Sequence, residues 1–366
     1  MDGDDTREKT LTDLAIQLDS ENMIGFTRAF VSDLRKGFDF VTRMNDEWFR
    51  TISSKHWISV LCLGMGGSAS GGDFLSALAN AEGSTPIHVH RDYSVPSWWN
   101  TDVLVIATSH SGSTEETIEA TERVLRAGGT VIVIATGGEL AGFCELYPNC
   151  HLIPTIGGQP PRSAFGHIFS RQLACLQRLG LLPALDSEML EHMLDRLEQV
   201  TANFDFTLDP EGDIAQLAAA MKTRPIALLG PTECQSSILR FKNQLNENAA
   251  RFARIGIIPE MNHNEIVAWG GVGDDGDPAN DSQLVLMLSW KGMHPRVKQR
   301  LDWLIAHSPT EYAWKIQGEG ETLLEALLYH CIIMDWLSIA LALLHGKDPS
   351  SIHPINSLKG FLQSVQ

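Results

Sequence analysis

The chain is short of basic residues. It carries 28 Lys and Arg against 45 Asp and Glu, a net charge of −17, and the cations form no run. A duplex-binding surface needs clustered Lys and Arg, so nucleic acid is not an expected partner. Small anionic ligands stay open, because a few local donors can seat a phosphate inside an acidic protein. There is no C-x-x-C pair among Cys62, Cys144, Cys150, Cys175, Cys234 and Cys331. That spacing reads as reduced, mostly buried thiols of a cytoplasmic protein rather than a disulfide framework. Residues 1–20 are acidic and polar, without the apolar stretch of a secretory leader. The most apolar run, Cys331 to Leu344, is 14 residues long and contains Asp335, too short to span a bilayer, so no membrane is expected. The G-x-x-x-x-G-K-[ST] order is missing too, which argues against nucleoside triphosphate chemistry.

What is present is a 366-residue chain, 43% hydrophobic and 20% charged, globular in composition and long enough for two cores. Apolar runs at Trp57 to Leu63, Ile87 to His90, Val103 to Thr108, Thr130 to Thr136 and His151 to Ile156 alternate with helical patterns and Gly-Gly turns. Continuous apolar strands alternating with helices predict an α/β fold with parallel sheets covered on both faces. After Pro160-Pro161, amphipathic helices are expected near Ser163 to Leu179 and Ser187 to Thr201. The theme then repeats: strands at Pro225 to Gly230, Gln283 to Trp290 and Tyr312 to Ile316, with helices near Cys234 to Arg254, His294 to Ala306 and Glu321 to His345. The division expected is residues 1–40 as a helical and polar segment, 41–160 as a first module, 161–205 as a connector and 206–366 as a second module with a helical tail.

Two loops could carry chemistry. Gly64, Gly66 and Ala69 follow the first strand in a G-x-G-x-x-A pattern. It fits a dinucleotide turn, a plain tight turn, or a phosphate site made of bare amides at a helix start. For the dinucleotide reading, Asp92 is the nearest acidic residue, poorly placed for a ribose. The second loop, SHSGST at Ser109 to Thr114, puts four hydroxyls at a strand end. Ser113 with Glu116 reads as a capping box. Ser109, Ser111 and Thr114 then remain, beside Gly66, Gly67 and Ser68, as donors for a phosphate monoester without any Lys.

With the upstream GMGGS turn, SHSGST resembles the SIS (sugar isomerase) domain, which binds phosphosugars. PPRSAFG at 160–166, NQLNENA at 243–249 and IPEMNHNE at 258–265 extend the likeness to the bifunctional phosphoglucose/phosphomannose isomerases, from about residue 57 to the C-terminus. The resemblance implies two SIS-type modules, each a mostly parallel sheet between helical layers, acting on a sugar phosphate in the cytoplasm without cofactor or metal. It also implies a homodimer.

Aldose–ketose isomerisation needs a base to move a proton between C2 and C1, a group to steady the enediolate, an acid/base to open the ring, and a grip on the phosphate. Periodicity puts Ile238, Phe241, Leu245, Ala249 and Phe252 on the buried face of one helix and Glu247 on the polar side, where an i,i+4 pair with Arg251 is the plain reading. The resemblance instead makes Glu247 the proton-transfer base. It makes Arg162 the stabiliser of the enediolate, His263 the ring-opening group donated across the dimer interface, and Lys359, in INSLKGFL, a further proton-handling residue. The family's usual Asp-Pro-Thr-Pro stands here as Asp348, Pro349, Ser350 and Ser351, which leaves the balance between glucose and mannose substrates open. One site can serve both epimers, because loss of the C2 proton makes C2 planar. A non-enzymatic phosphosugar-binding regulator is the alternative; it would keep the hydroxyl loop without needing Glu247, Arg162 and His263. His88 and His90 share a strand face but have no obvious third ligand.

Overall fold

Alternation within the apolar runs decides how the chain stacks. The computed structural model describes residues 9–365. Its strands are β1 (Ser59–Leu63), β2 (Ile87–His90), β3 (Val103–Thr108), β4 (Val131–Ala135) and β5 (Cys150–Pro154), then β6 (Ile226–Pro231), β7 (Ala253–Ile258), β8 (Leu284–Trp290) and β9 (Ala313–Gly318). They form two wholly parallel sheets, ordered β2-β1-β3-β4-β5 and β7-β6-β8-β9. Val60 and Cys62, Leu104 and Ile106, and Ile132 and Ile134 point to one face; Leu61, Val105 and Val133 point to the other. The same period of two places Leu228, Leu286 and Leu288 inward and Ala227, Val285 and Met287 outward. Both faces are apolar because both are covered by helices, as parallel strands require.

The inward faces of the two sheets share one continuous core. Between them lie the helices Gly66–Glu82, Phe165–Arg178, Gln235–Ala249 and Leu323–Leu344, which touch one another across the molecule. This explains why the helix expected to be amphipathic at 163–179 is buried along its whole run from Phe165 to Leu176. One side meets Gly66–Glu82, and the other meets the helix Met23–Arg43. The helix Leu323–Leu344 has 22 residues and is apolar enough to cross a membrane by length and composition, but 94% of its most apolar window is buried inside the protein. The run at 331–344 is thus the C-terminal part of a longer core helix.

The helix expected from Cys234 to Arg254 is shorter. It spans Gln235–Ala249, and Ala250 takes a left-handed conformation at φ 52°. The amides of Ala250 and Arg251 both return to the Leu245 carbonyl, which stops the helix and releases 253–258 as β7. Phe252, expected on the buried helix face, is therefore 94% exposed.

Candidate active site

β1 and β3 are neighbours, with Leu63 beside Ala107, so the segments 64–68 and 109–114 leave adjacent strand ends. The sheet order reverses direction here, since β1 carries β2 on one side and β3 on the other, the usual place for a ligand crevice in a parallel sheet. Gly66 adopts φ 51° and opens the helix Gly66–Glu82, whose first turn has no side-chain cap; such a terminus attracts an anion. The Ser68 hydroxyl accepts from the His110 amide at 3.1 Å and ties the two loops together. Ser109 Oγ lies 2.8 Å from Thr114 Oγ1 and accepts from the Gly112 amide at 3.1 Å. The exposed Ser111 accepts from the Ser113 amide at 3.2 Å. The expected capping box of Ser113 and Glu116 does not form. Thr114 is the N-cap and the helix starts at Glu115, so Glu116 falls one position early. Asp92 accepts from its neighbours, the Tyr93 amide at 2.7 Å and the Ser94 hydroxyl at 3.3 Å, and so stays within its own turn.

Gly67 brings the glycine loop 64–68 against the chain that follows Pro160-Pro161. A Cβ added there would stand 3.1 Å from both the N and Cα of Arg162, so a glycine permits this approach. Arg162 is 4% exposed. Its Nε donates to Asn248 Oδ1 at 2.6 Å, its Nη2 to the Pro349 carbonyl at 2.6 Å, and its Nη1 lies 3.5 Å from Glu247 Oε2. The sequence therefore meets itself here from three places: the turn after the first module, the end of the helix Gln235–Ala249, and the strap 348–351.

The Glu247 side chain is 25% exposed. Burial raises its carboxyl above the usual carboxylate range, against the opposing pull of Arg162, Lys347 and Arg240. Arg162 is lowered by burial and supported by Glu247, Glu21 and Asp348. The alternative i,i+4 pair is not made. Arg251 lies beyond the helix end and donates to the carbonyls of Met221, Lys222 and Arg224. Behind the site, Arg240 forms a two-pronged pair with Asp335 at 2.6 and 2.9 Å, and its Nη2 reaches the Arg162 carbonyl at 3.3 Å. Gln244 donates to the same Asp335, and Asn248 to Ser338 Oγ. Ser350 is buried and turned toward Asp348, to which its amide and hydroxyl both donate, at 2.8 and 2.6 Å.

Gly66, Gly67, Ser68, Ser109, Ser111, Thr114, Arg162 and Glu247 are thus neighbours through this chain of contacts. His263 and Lys359 are not among them. His263 is exposed in the short helical turn Glu260–His263 beyond β7, and Lys359 is exposed on the helix His353–Ser364. Among the described residues neither has a hydrogen bond or ion pair to the other members. No group of three or more His, Cys, Asp or Glu side chains among the described residues could hold a metal ion. His88 packs against Trp98. Sequence reasoning did not single out Arg240, Asn248 or Lys347; only the lone charge of Asp335 in its apolar run hinted at a buried partner.

Residues 211–362 match the family described as the bacterial phosphoglucose isomerase C-terminal SIS domain. The chain is 31% identical over 304 residues to a bifunctional phosphoglucose/phosphomannose isomerase of Aquifex aeolicus, covering 82% of this chain and 88% of that protein. It is 29% identical over 315 residues to one of Caldicellulosiruptor bescii, covering 84% and 90%. Among solved structures, tagatose-6-phosphate ketose/aldose isomerase from Escherichia coli superposes with a TM-score of 0.67 at 17% identity, over 94% of this chain and 95% of that one. It shares the fold of two parallel sheets flanked by helices.

Proposed function

Because the chain belongs to the bifunctional phosphoglucose/phosphomannose isomerases, we propose that it interconverts glucose 6-phosphate and mannose 6-phosphate with fructose 6-phosphate through a cis-enediolate. The substrate phosphate sits on the amides and hydroxyls of Gly66, Gly67, Ser68, Ser109, Ser111 and Thr114. Glu247 takes the C2 proton of the open-chain aldose and returns it to C1, while the O2 hydroxyl proton passes to O1, so that C1 becomes an alcohol and C2 a ketone. The enediolate oxygen gains charge during that transfer, and the Arg162 guanidinium stabilises it where burial excludes water. His263 opens the pyranose ring from the second subunit of a homodimer, and Lys359 assists proton handling. We assign residues 41–160 and 206–366 to the two modules and 161–205 to the connector, and place the enzyme in the cytoplasm, in glycolysis and gluconeogenesis.

One observation carries this reading: the 3.5 Å approach of Glu247 Oε2 to Arg162 Nη1, directly behind the Gly67 end of the phosphate loop. A proton-transfer base needs a raised pKa and an electrophilic neighbour, and this pair has both. A phosphosugar sensor would have no use for the pair. The test is a coupled assay of wild type and Glu247→Gln on both aldose phosphates. Turnover is expected without added metal and in the presence of a chelator, and the variant should lose about 10²- to 10⁴-fold in kcat. Tight phosphosugar binding without turnover by wild type would favour the sensor instead.

A further inference from the structure

Lys347 is the most heavily bonded amine of the site and has no part in the chemistry above. It follows the core helix Leu323–Leu344, where Gly346 at φ 67° turns the chain back. Its own amide returns to the Ala342 carbonyl at 2.9 Å. The ammonium then donates to four main-chain carbonyls: Glu247 at 3.0 Å, Asn248 at 2.9 Å, Asp348 at 3.1 Å and Ser351 at 3.0 Å. Two of these belong to the last turn of the helix that carries Glu247, an end whose dipole favours a cation. The other two belong to the strap whose Pro349 carbonyl holds Arg162. An ammonium has three hydrogens, so four converging oxygens saturate it. Asp348 is fixed in turn by the Ser20 hydroxyl at 2.5 Å and by Ser350.

Resting on the isomerase reading above, we propose that Lys347 is a positioning residue: its ammonium locks the end of the Glu247 helix to the strap 348–351, and so sets the separation of the base from Arg162. A neutral side chain without donors would leave four carbonyls unbonded and let the helix end and the strap part. Reaction geometry of this kind is sensitive, since a displacement of about 1 Å can cost on the order of 10²-fold in rate. The cation also acts through space. The charged groups facing Glu247 are Arg162 from the turn before Phe165–Arg178, Arg240 from its own helix, and Lys347 from the turn before the strap. Those facing Lys347 are Arg162, Asp348 and Glu247. Removing Lys347 deletes one of three cations that favour the ionised carboxylate.

The test compares Lys347→Met and Lys347→Arg with wild type in the coupled assay, with kcat, KM and full pH profiles, and with unfolding midpoints measured alongside. In Lys347→Met, kcat should fall about 10²-fold with KM little changed, and the acid limb of the profile should move to higher pH. In Lys347→Arg the charge is kept while a planar fork cannot meet four converging oxygens. There kcat should fall with the acid limb in place. Wild-type kcat in either folded variant overturns the proposal, as does a Lys347→Met whose loss is matched by a lowered unfolding midpoint with its pH profile unmoved. Should Lys347→Met not fold, Lys347→Arg decides alone. A wild type without isomerase turnover would sink the isomerase reading itself, a result distinct from variants that match an active wild type.

Discussion

At the scale of single residues, the proposed site pairs a partly buried carboxylate with a buried guanidinium. The pH dependence follows from the sign of the Glu247 shift. Burial raises its carboxyl, with Arg162, Lys347 and Arg240 pulling the other way. With Glu247 as the proposed base, only its ionised form accepts the C2 proton, so kcat/KM should fall as the pH drops through this raised value. A profile of kcat/KM for the free enzyme checks this; an acid limb at an ordinary Glu value would contradict the environment described for Glu247. In the proposed mechanism Arg162 contributes where charge appears. Arg162→Ala should lose about 10²- to 10³-fold in kcat, as loss of one charge-stabilising donor does elsewhere, with a smaller change in KM. A change confined to KM would mark Arg162 as a phosphate contact. Ser350, the departure from the usual Thr, gives its hydroxyl to Asp348, so the smaller side chain is spent on holding the strap.

At the scale of elements, the strands of the first sheet were legible because runs such as VLVIAT and VIVIA bury alternate residues in two different cores. β7 was not legible. The signal that ends a helix is commonly a glycine, and here Ala250 supplies the left-handed turn, so the helical pattern read on through it and Phe252 was misplaced. The two hydroxyl and glycine loops were legible as a pair, since each follows a clear strand. The network beneath them was not, because it joins residues far apart in sequence: Arg240 with Asp335, Arg162 with Asn248 and Pro349. The apolar run 331–344 showed one anomalous charge without its partner. That buried pair links the helix Gln235–Ala249 to Leu323–Leu344 and steadies the Arg162 carbonyl. Asp335→Ala strands the Arg240 guanidinium in the core and should cost about 3–5 kcal/mol of stability, as broken buried pairs do. Denaturant unfolding measures it; a loss near zero would mean that water reaches Arg240.

At the scale of the whole molecule, the two sheets face a shared helical core, and the Glu247–Arg162 pair sits where that core meets the first sheet's loops. His263 and Lys359 stand on exposed outer elements. The helix His353–Ser364 that carries Lys359 buries no residue of its own and leaves Leu358 and Phe361 58% and 62% exposed. A proposal that a second copy completes the site can be tested by mixing two dead enzymes. Glu247→Gln lacks the base and keeps the histidine; His263→Ala keeps the base and lacks the histidine. In a two-fold dimer with His263 donated across the interface, each mixed dimer has one site with both defects and one with neither. Random exchange of equal amounts makes half the dimers mixed, so activity should recover to about a quarter of wild type. If His263 served its own subunit, every site in the mixture would carry one defect and no activity would return. Carrying one variant on a distinguishable affinity tag and co-purifying the other confirms that subunits exchanged, and light scattering showing a monomer at assay concentration would rule out the shared site.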